Sequence, residues 1–308
     1  MTIWCGENWN GMGFSDEATA ELRAITGHEL VFGGEPRGEI LFSQPPTDGA
    51  LADPDLKWIQ VTSAGFTRYD TDEFRSAMKA KGAQLTNSSS VFDEPCAQHA
   101  LAFLLAFARQ LPEAHREQLG PRDWSATKRR LDSRLLQEGR VLIVGYGAIG
   151  RRLVELLAPF GIEIQAVRRS PRGDEPVPTF GMDRLETLLP EADYVVNLLP
   201  ANAASERLFD GAKFERMKEG ALFLNIGRGT TVDQAGLLEA LPRLGGAYLD
   251  VTDPEPLPRE HPLWDAPNVV ITPHTAGGHR GEDVRLVRHF LSNLRRFEAG
   301  EPLVDRVI

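Results

Sequence analysis

Short apolar runs recur along the chain, separated by segments of helical periodicity. In the first hundred residues TIWC, ELVF, EILFS and LKWIQVTS read as strands, and DEATAELRAI, closed by Gly27, reads as an amphipathic helix. An apolar helix is predicted over 96–111, around the run ALAFLLAFA. From Arg140 the pattern sharpens: VLIV is a strand, Gly145 to Gly150 a turn, and AIGRRLVELLAPF a helix with Ile149, Leu153, Leu156 or Leu157, and Phe160 on one stripe. IEIQAV, YVVNLL, ALFLNI, AYLDV and VVIT bring the strands of this region to six. Strands alternating with crossovers predict an α/β protein built on an open, doubly wound, largely parallel Rossmann sheet. The last helix, EDVRLVRHFLSNLRRF, puts Val284, Val287, Leu291, Leu294 and Phe297 on one face and Gly300 at its C-cap.

Length and composition narrow the class. The 308 residues suit two domains, and 42% hydrophobic with 25% charged residues is the balance of a soluble globular chain. The formal net charge of −10 disfavours nucleic acid and anionic lipid as partners. Cys5 and Cys96 are too few for a disulfide framework and lack metal-ligand spacing, so no metal is expected. MTIWCGENWN has no leader pattern, and the longest apolar run is far shorter than the ~20 residues that span a bilayer. A cytoplasmic protein is expected, with both thiols reduced.

Gly145-Tyr146-Gly147-Ala148-Ile149-Gly150 is G-x-G-x-x-G between a strand and a helix. In that setting the first glycine permits the turn, the second lets a pyrophosphate approach the backbone, and the third allows close helix–strand packing. The ribose-reading position then falls at the end of the next strand, on Arg168 and Arg169. A carboxylate there would accept bonds from a free 2′-hydroxyl; a guanidinium suits a 2′-phosphate instead. NADP is therefore expected over NAD, which stays usable, with Arg172 as a third contact.

Ionisable groups stand near the ends of three later strands, in LFLNIGRGT, YLDVTDPEPLP and VVITPHTAGG. Reducing a 2-keto acid needs a cation for the carboxylate, which Arg228 offers, and a proton donor for the developing alkoxide, which His274 offers. Glu255 is the candidate to orient the His274 ring. Singly, each has an ordinary alternative as a loop residue or a satisfied structural side chain.

These segments, with LLQEGRVLIVGYGAIGRR, EADYVVNLLP and FERMKEGALFLNIGRGTTVD, resemble the D-isomer-specific 2-hydroxyacid dehydrogenase family, densely from about residue 95 to 280. The resemblance implies a smaller flavodoxin-like α/β substrate-binding domain over 1–98, with 284–308 returning to it, and a dinucleotide-binding domain over 99–283. It implies that Arg228 binds substrate, that Glu255 and His274 form the catalytic pair, and that the amides of Ser63, Ala64, Gly65 and Phe66 cradle the substrate carboxylate. Leu199, Pro200, Ile226, Gly227, Asp250 and Gly277 would line the cofactor, Asp250 at the nicotinamide amide. Segment 111–137 would serve a homodimer.

Gln98 stands where family members often carry Glu, and Arg68 is an unusual charge after the substrate turn. The reading is an NADPH-dependent reductase of a small glyoxylate- or hydroxypyruvate-like 2-keto acid, giving the D-2-hydroxy acid. A dinucleotide-sensing, corepressor-like binding protein on the same scaffold stays open. Formate-type oxidation is disfavoured, because the related formate enzymes carry Gln where Glu255 stands.

Overall fold

The computed structural model describes residues 1–7, 13–25 and 27–308; Asn8 to Asn10, the end of the N-terminal stretch read above, lie outside the described residues. The chain forms two compact units, Met1–Phe92 with Gly278–Ile308, and Asp93–Gly277. In the first unit β1 (Thr2–Cys5), β2 (Glu29–Phe32), β3 (Ile40–Phe42), β4 (Trp58–Gln60) and β5 (Gln84–Thr86) pair in parallel in the order β2-β1-β3-β4-β5. That is the flavodoxin-like order, with its switch point between β1 and β3.

The helix Glu282–Ala299 packs on this sheet through stacked rings: Phe42 and Phe290 lie 4.4 Å apart, Trp58 and Phe290 5.3 Å. Burying each ring stabilises the unit by roughly 1.5–3 kcal/mol. Its apolar face is broader than the predicted stripe, because Leu286, Phe290 and Asn293 are also buried. Asn293 is satisfied there, donating to Gln60 Oε1 at 2.9 Å, an oxygen that also accepts from Thr86 Oγ1 at 2.7 Å. Gly300 closes the helix in the left-handed conformation, as the sequence predicted.

The second unit holds β6 (Arg140–Val144), β7 (Glu163–Val167), β8 (Thr179–Phe180), β9 (Tyr194–Asn197), β10 (Leu222–Asn225), β11 (Gly246–Leu249) and β12 (Val269–Ile271). They form a parallel sheet in the order β12-β11-β10-β9-β6-β7-β8, the doubly wound arrangement. β8 is the strand beyond the six read from the sequence. It is two residues long, too short to show a pattern.

The apolar helix spans Ser89–Ala108 rather than 96–111, with Pro95 inside it. Its first turn belongs to the first unit, where Val91 packs among Ile3, Phe42 and Val284. The division at Phe92 and Gly278 therefore precedes the positions near 98 and 284 that the sequence suggested. Cys5 and Cys96 are buried and form no disulfide, and burial pushes the Cys5 thiol up to about 12. No helix among the described residues is long and apolar enough to cross a membrane.

Candidate active site

Because every strand of the second unit runs the same way, their C-terminal ends share one edge. β6 is first in sequence but lies inside the sheet; the chain builds outward through β7 and β8, then returns to add β9 to β12. The reversal opens a switch point between β6 and β9, the place where such sheets bind ligands. Along that edge the loops carry, in order, His274 after β12, Asp250 after β11, Arg228 after β10, Leu199 and Pro200 after β9, the glycine loop after β6, and Arg168 after β7. Five inter-strand steps separate the ends of this row, about 24 Å at ~4.8 Å per step.

The glycines of the loop do three different jobs. Gly145 has φ +106°, and a Cβ there would sit 2.9 Å from the Leu198 carbonyl carbon, so β6 and β9 close tightly at the switch point. At Gly150 a Cβ would meet Gly145 O at 3.0 Å and Ile143 Cγ2 at 3.4 Å, which is helix packed on strand. Gly147 is exposed, and a Cβ on it would meet nothing within 4 Å. It is also the N-cap of the helix Ala148–Leu157 and offers no side-chain cap. The first-turn amides of Ala148, Ile149 and Gly150 thus keep their donors, at the positive end of a helix dipole. An open approach over unbonded amides fits a pyrophosphate.

Arg168 leaves the end of β7 with its backbone amide bonded to Phe180 O of β8 at 3.0 Å. The structure adds a carboxylate that the register argument did not foresee: Glu175 folds back to accept from Arg168 Nη1 at 3.2 Å. Arg169 and Arg172 are exposed.

Arg228 is positioned by a buried polar network. Asn197 and Asn225, both fully buried, end neighbouring strands; Asn197 Nδ2 donates to Asn225 Oδ1 at 3.0 Å and to Thr231 Oγ1 at 2.7 Å. Asn225 Nδ2 and Thr231 Oγ1 then donate to the Arg228 carbonyl, at 3.1 and 2.6 Å. Gly227 lies buried beneath, where a Cβ would come 2.5 Å from Leu199 O. Ile226 is buried beside it. Among the described residues the Arg228 guanidinium bonds only its neighbour's carbonyl, Gly227 O, at 2.6 Å. Among the described residues no carboxylate stands within ion-pair reach of it, which leaves the fork available to an anion.

Asp250, only 2% exposed, holds the loop that bears His274. Its carboxylate accepts from Thr272 Oγ1 at 2.5 Å, Thr275 N at 2.8 Å and Ala276 N at 2.9 Å, and its carbonyl accepts from His274 N at 2.8 Å. Tyr248 Oη bonds Thr272 Oγ1 at 2.6 Å and meets His99 Nε2 on its other side. Burial drives the Tyr248 phenol well above its usual range and holds His99 below the ordinary imidazole range. His274, with φ +53° and a side chain 49% exposed, presents Nδ1 to Glu255 Oε2 at 2.9 Å. Glu255 is itself oriented by Thr252 N, which donates to Oε1 at 3.0 Å. Gly277 follows this loop and ends the unit.

In the first unit the turn after β4 is polarised. The carbonyls of Ser63, Ala64, Gly65 and Phe66 accept from Ser88 N, Asn87 Nδ2, Ser63 Oγ and Tyr69 N. None of their four amides has an acceptor among the described residues. Such a row of free donors suits an anion. Arg68, on the turn Thr67–Tyr69 that follows, is exposed.

The sequence thus marked the chemically loud residues but missed Asn197, Asn225, Thr231, Tyr248, Thr272 and Glu175. The only trace of the first pair is an Asn closing each of two apolar strands. No group of three or more metal-ligating side chains lies together among the described residues.

Known proteins resemble this chain in sequence and in fold. A family model described as D-isomer specific 2-hydroxyacid dehydrogenase, NAD binding domain, matches residues 101–276. The human glyoxylate reductase/hydroxypyruvate reductase is 34% identical over 82% of this chain and 77% of its own. A D-isomer specific 2-hydroxyacid dehydrogenase from Xanthobacter autotrophicus Py2, solved with NADPH and MES, aligns with TM-score 0.84 and 26% identity over 99% of this chain and 98% of its own. An NADPH-dependent glyoxylate/hydroxypyruvate reductase from Sinorhizobium meliloti, solved with NADP and sulfate, gives 0.80 and 27% over 99% and 97%.

Proposed function

Since the chain belongs to the D-isomer specific 2-hydroxyacid dehydrogenase family and is thus an NAD(P)-dependent oxidoreductase, we propose that it reduces a small 2-keto acid of the glyoxylate or hydroxypyruvate kind to the D-2-hydroxy acid, with NADPH preferred. The observation that carries the proposal is the set of three neighbouring strand ends bearing an unpaired Arg228, a loop hung on Asp250, and a His274–Glu255 pair. The relatives named for NADPH and for glyoxylate or hydroxypyruvate reduction support it.

A bound nicotinamide dinucleotide would supply the hydride to the carbonyl carbon. The protein's share is binding, orientation and one proton. Each unit has its own donors for a carboxylate: the Arg228 fork in one, the amides of 63–66 in the other. A carboxylate only accepts, so Glu255 requires the His274 Nδ1 to carry a proton. That leaves Nε2 as the nitrogen that hands its proton to the developing alkoxide, a contribution of about 10²–10⁴-fold. Arg168 at the end of β7 supports the NADPH preference. Leu111, Leu119, Leu131 and Trp124, the last 95% exposed, support a homodimer through segment 111–137, because a monomer rarely leaves so many large apolar side chains in water.

The test is a panel of glyoxylate, hydroxypyruvate and longer 2-keto acids with NADPH and with NADH, on native protein and on His274→Ala. Native turnover lost about 10³-fold in the variant, with cofactor binding kept, is the expected result. Tight cofactor binding with no turnover on any keto acid would refute the reductase reading. Unchanged turnover in His274→Ala would refute the proton-donor assignment.

A further inference from the structure

The segment from Arg168 to Pro178 is a closed loop rather than a free tail. β8 rejoins the sheet beside β7, with Ala166 opposite Thr179 and Val167 opposite Phe180, and Arg168 N bonds Phe180 O. From Arg169 to Asp174 every residue is exposed. Glu175 then turns inward, its side chain only 6% exposed. Both carboxylate oxygens are occupied: Oε1 accepts from Arg172 N at 2.8 Å and from Arg168 Nη1 at 3.2 Å, and Oε2 accepts from Gly173 N at 2.8 Å. The backbone bond from Arg172, above all, holds this carboxyl below the usual carboxylate range, so it stays ionised.

A glutamate pinned by two loop amides is a fixed post, and Arg168 leans on it with a single nitrogen. A guanidinium has five N–H groups, so the remaining donors have no partner among the described residues while the side chain loses its rotameric freedom. We infer that Glu175 is a positioning residue for cofactor discrimination: it fixes Arg168 and the 169–174 loop in the arrangement that receives a 2′-phosphate. The opposite role, an anion that competes with the phosphate for Arg168, suits this geometry less well. A carboxylate held by two backbone amides is already satisfied without the arginine, and the bond to Arg168 is the longest of its three.

The inference rests on the NADPH reading above and predicts the sign of one substitution. Glu175→Gln removes the charge and sets an amide N–H2 against one of the donors. Removing a charge-assisted anchor corresponds to about a tenfold loss. The ratio of kcat/KM for NADPH to that for NADH should therefore fall about tenfold, through KM for NADPH rather than kcat. Affinity for adenosine 2′,5′-bisphosphate should fall likewise, more than that for adenosine 5′-monophosphate. In an Arg168→Ala background the same substitution should add no further loss, because Glu175 acts through Arg168.

Tighter NADPH binding in Glu175→Gln would establish the competing role and overturn the inference. So would an equal loss with both cofactors, or an additive loss in the Arg168→Ala background. A native preference for NADH is a separate outcome: it overturns the cofactor assignment itself, before any variant is made.

Discussion

Asp250→Asn is the sharpest test of how the His274 loop is held. The native carboxylate takes two backbone amides and a hydroxyl in a site that water barely reaches. Asparagine offers one oxygen and one N–H2. If its oxygen keeps Thr275 N and Thr272 Oγ1, its nitrogen faces Ala276 N, donor against donor. A buried unsatisfied amide costs about 1–3 kcal/mol, and the two retained bonds each lose about 1 kcal/mol with their charge. Relief of the buried charge offsets part of this, leaving about 2–4 kcal/mol. For a unit of this size that corresponds to a fall in melting temperature of roughly 4–16 °C. A misplacement of His274 by ~1 Å would lower kcat by about 10². The assay pairs a thermal melt and steady-state kinetics with hydrogen exchange at Thr275 and Ala276, whose amides should lose protection. A variant that melts within about 2 °C of native and turns over within about threefold of it would show that the carboxylate does not hold the loop.

Three further outcomes follow from the same structure. Asn197→Ala, which unties Asn225 and Thr231 beneath Arg228, should cost about 1–3 kcal/mol and raise KM for the keto acid about tenfold, with KM for cofactor changed less; steady-state kinetics varying each substrate checks it. Gly147→Ala should leave stability within about 0.5 kcal/mol and weaken cofactor binding in a titration, because its Cβ enters open space on the approach side, whereas Gly145→Ala should destabilise the unit outright from φ +106°. Burial, opposed by Asp250 at His99 and by Asp305 at His289, holds both imidazoles below their ordinary range. The unfolded chain then takes up these protons first, near pH ~6.5, so stability rises with pH through this window and is lost on acidification. Melting temperature should drop between about pH 7.5 and about pH 5, and His289→Gln should make that drop shallower.

What the sequence made legible follows a physical division. Period-two and period-3.6 patterning reports which face of an element is buried, so the parallel sheet, the glycine turn and the last helix were readable from residue types alone. Arg228, Glu255 and His274 were readable because their side chains are chemically conspicuous beside glycine or proline. What the pattern hides is satisfaction. Asn197 and Asn225 close two apolar strands, and nothing local says that each is paired with the other rather than with solvent; that depends on β9 lying beside β10. Asp250 shows the same limit from the other side. Its position at a strand end was plain, but three of its donors arrive from a loop 22 to 26 residues further on.

Glu175 is the clearest case of all. Register puts Arg168 at the end of β7 with Arg169 beside it; hydrogen bonds tie the Arg168 side chain to a residue seven places later, brought back by a strand two residues long. Charge at a position is a property of the sequence, whereas the orientation of that charge is a property of the loop closure around it.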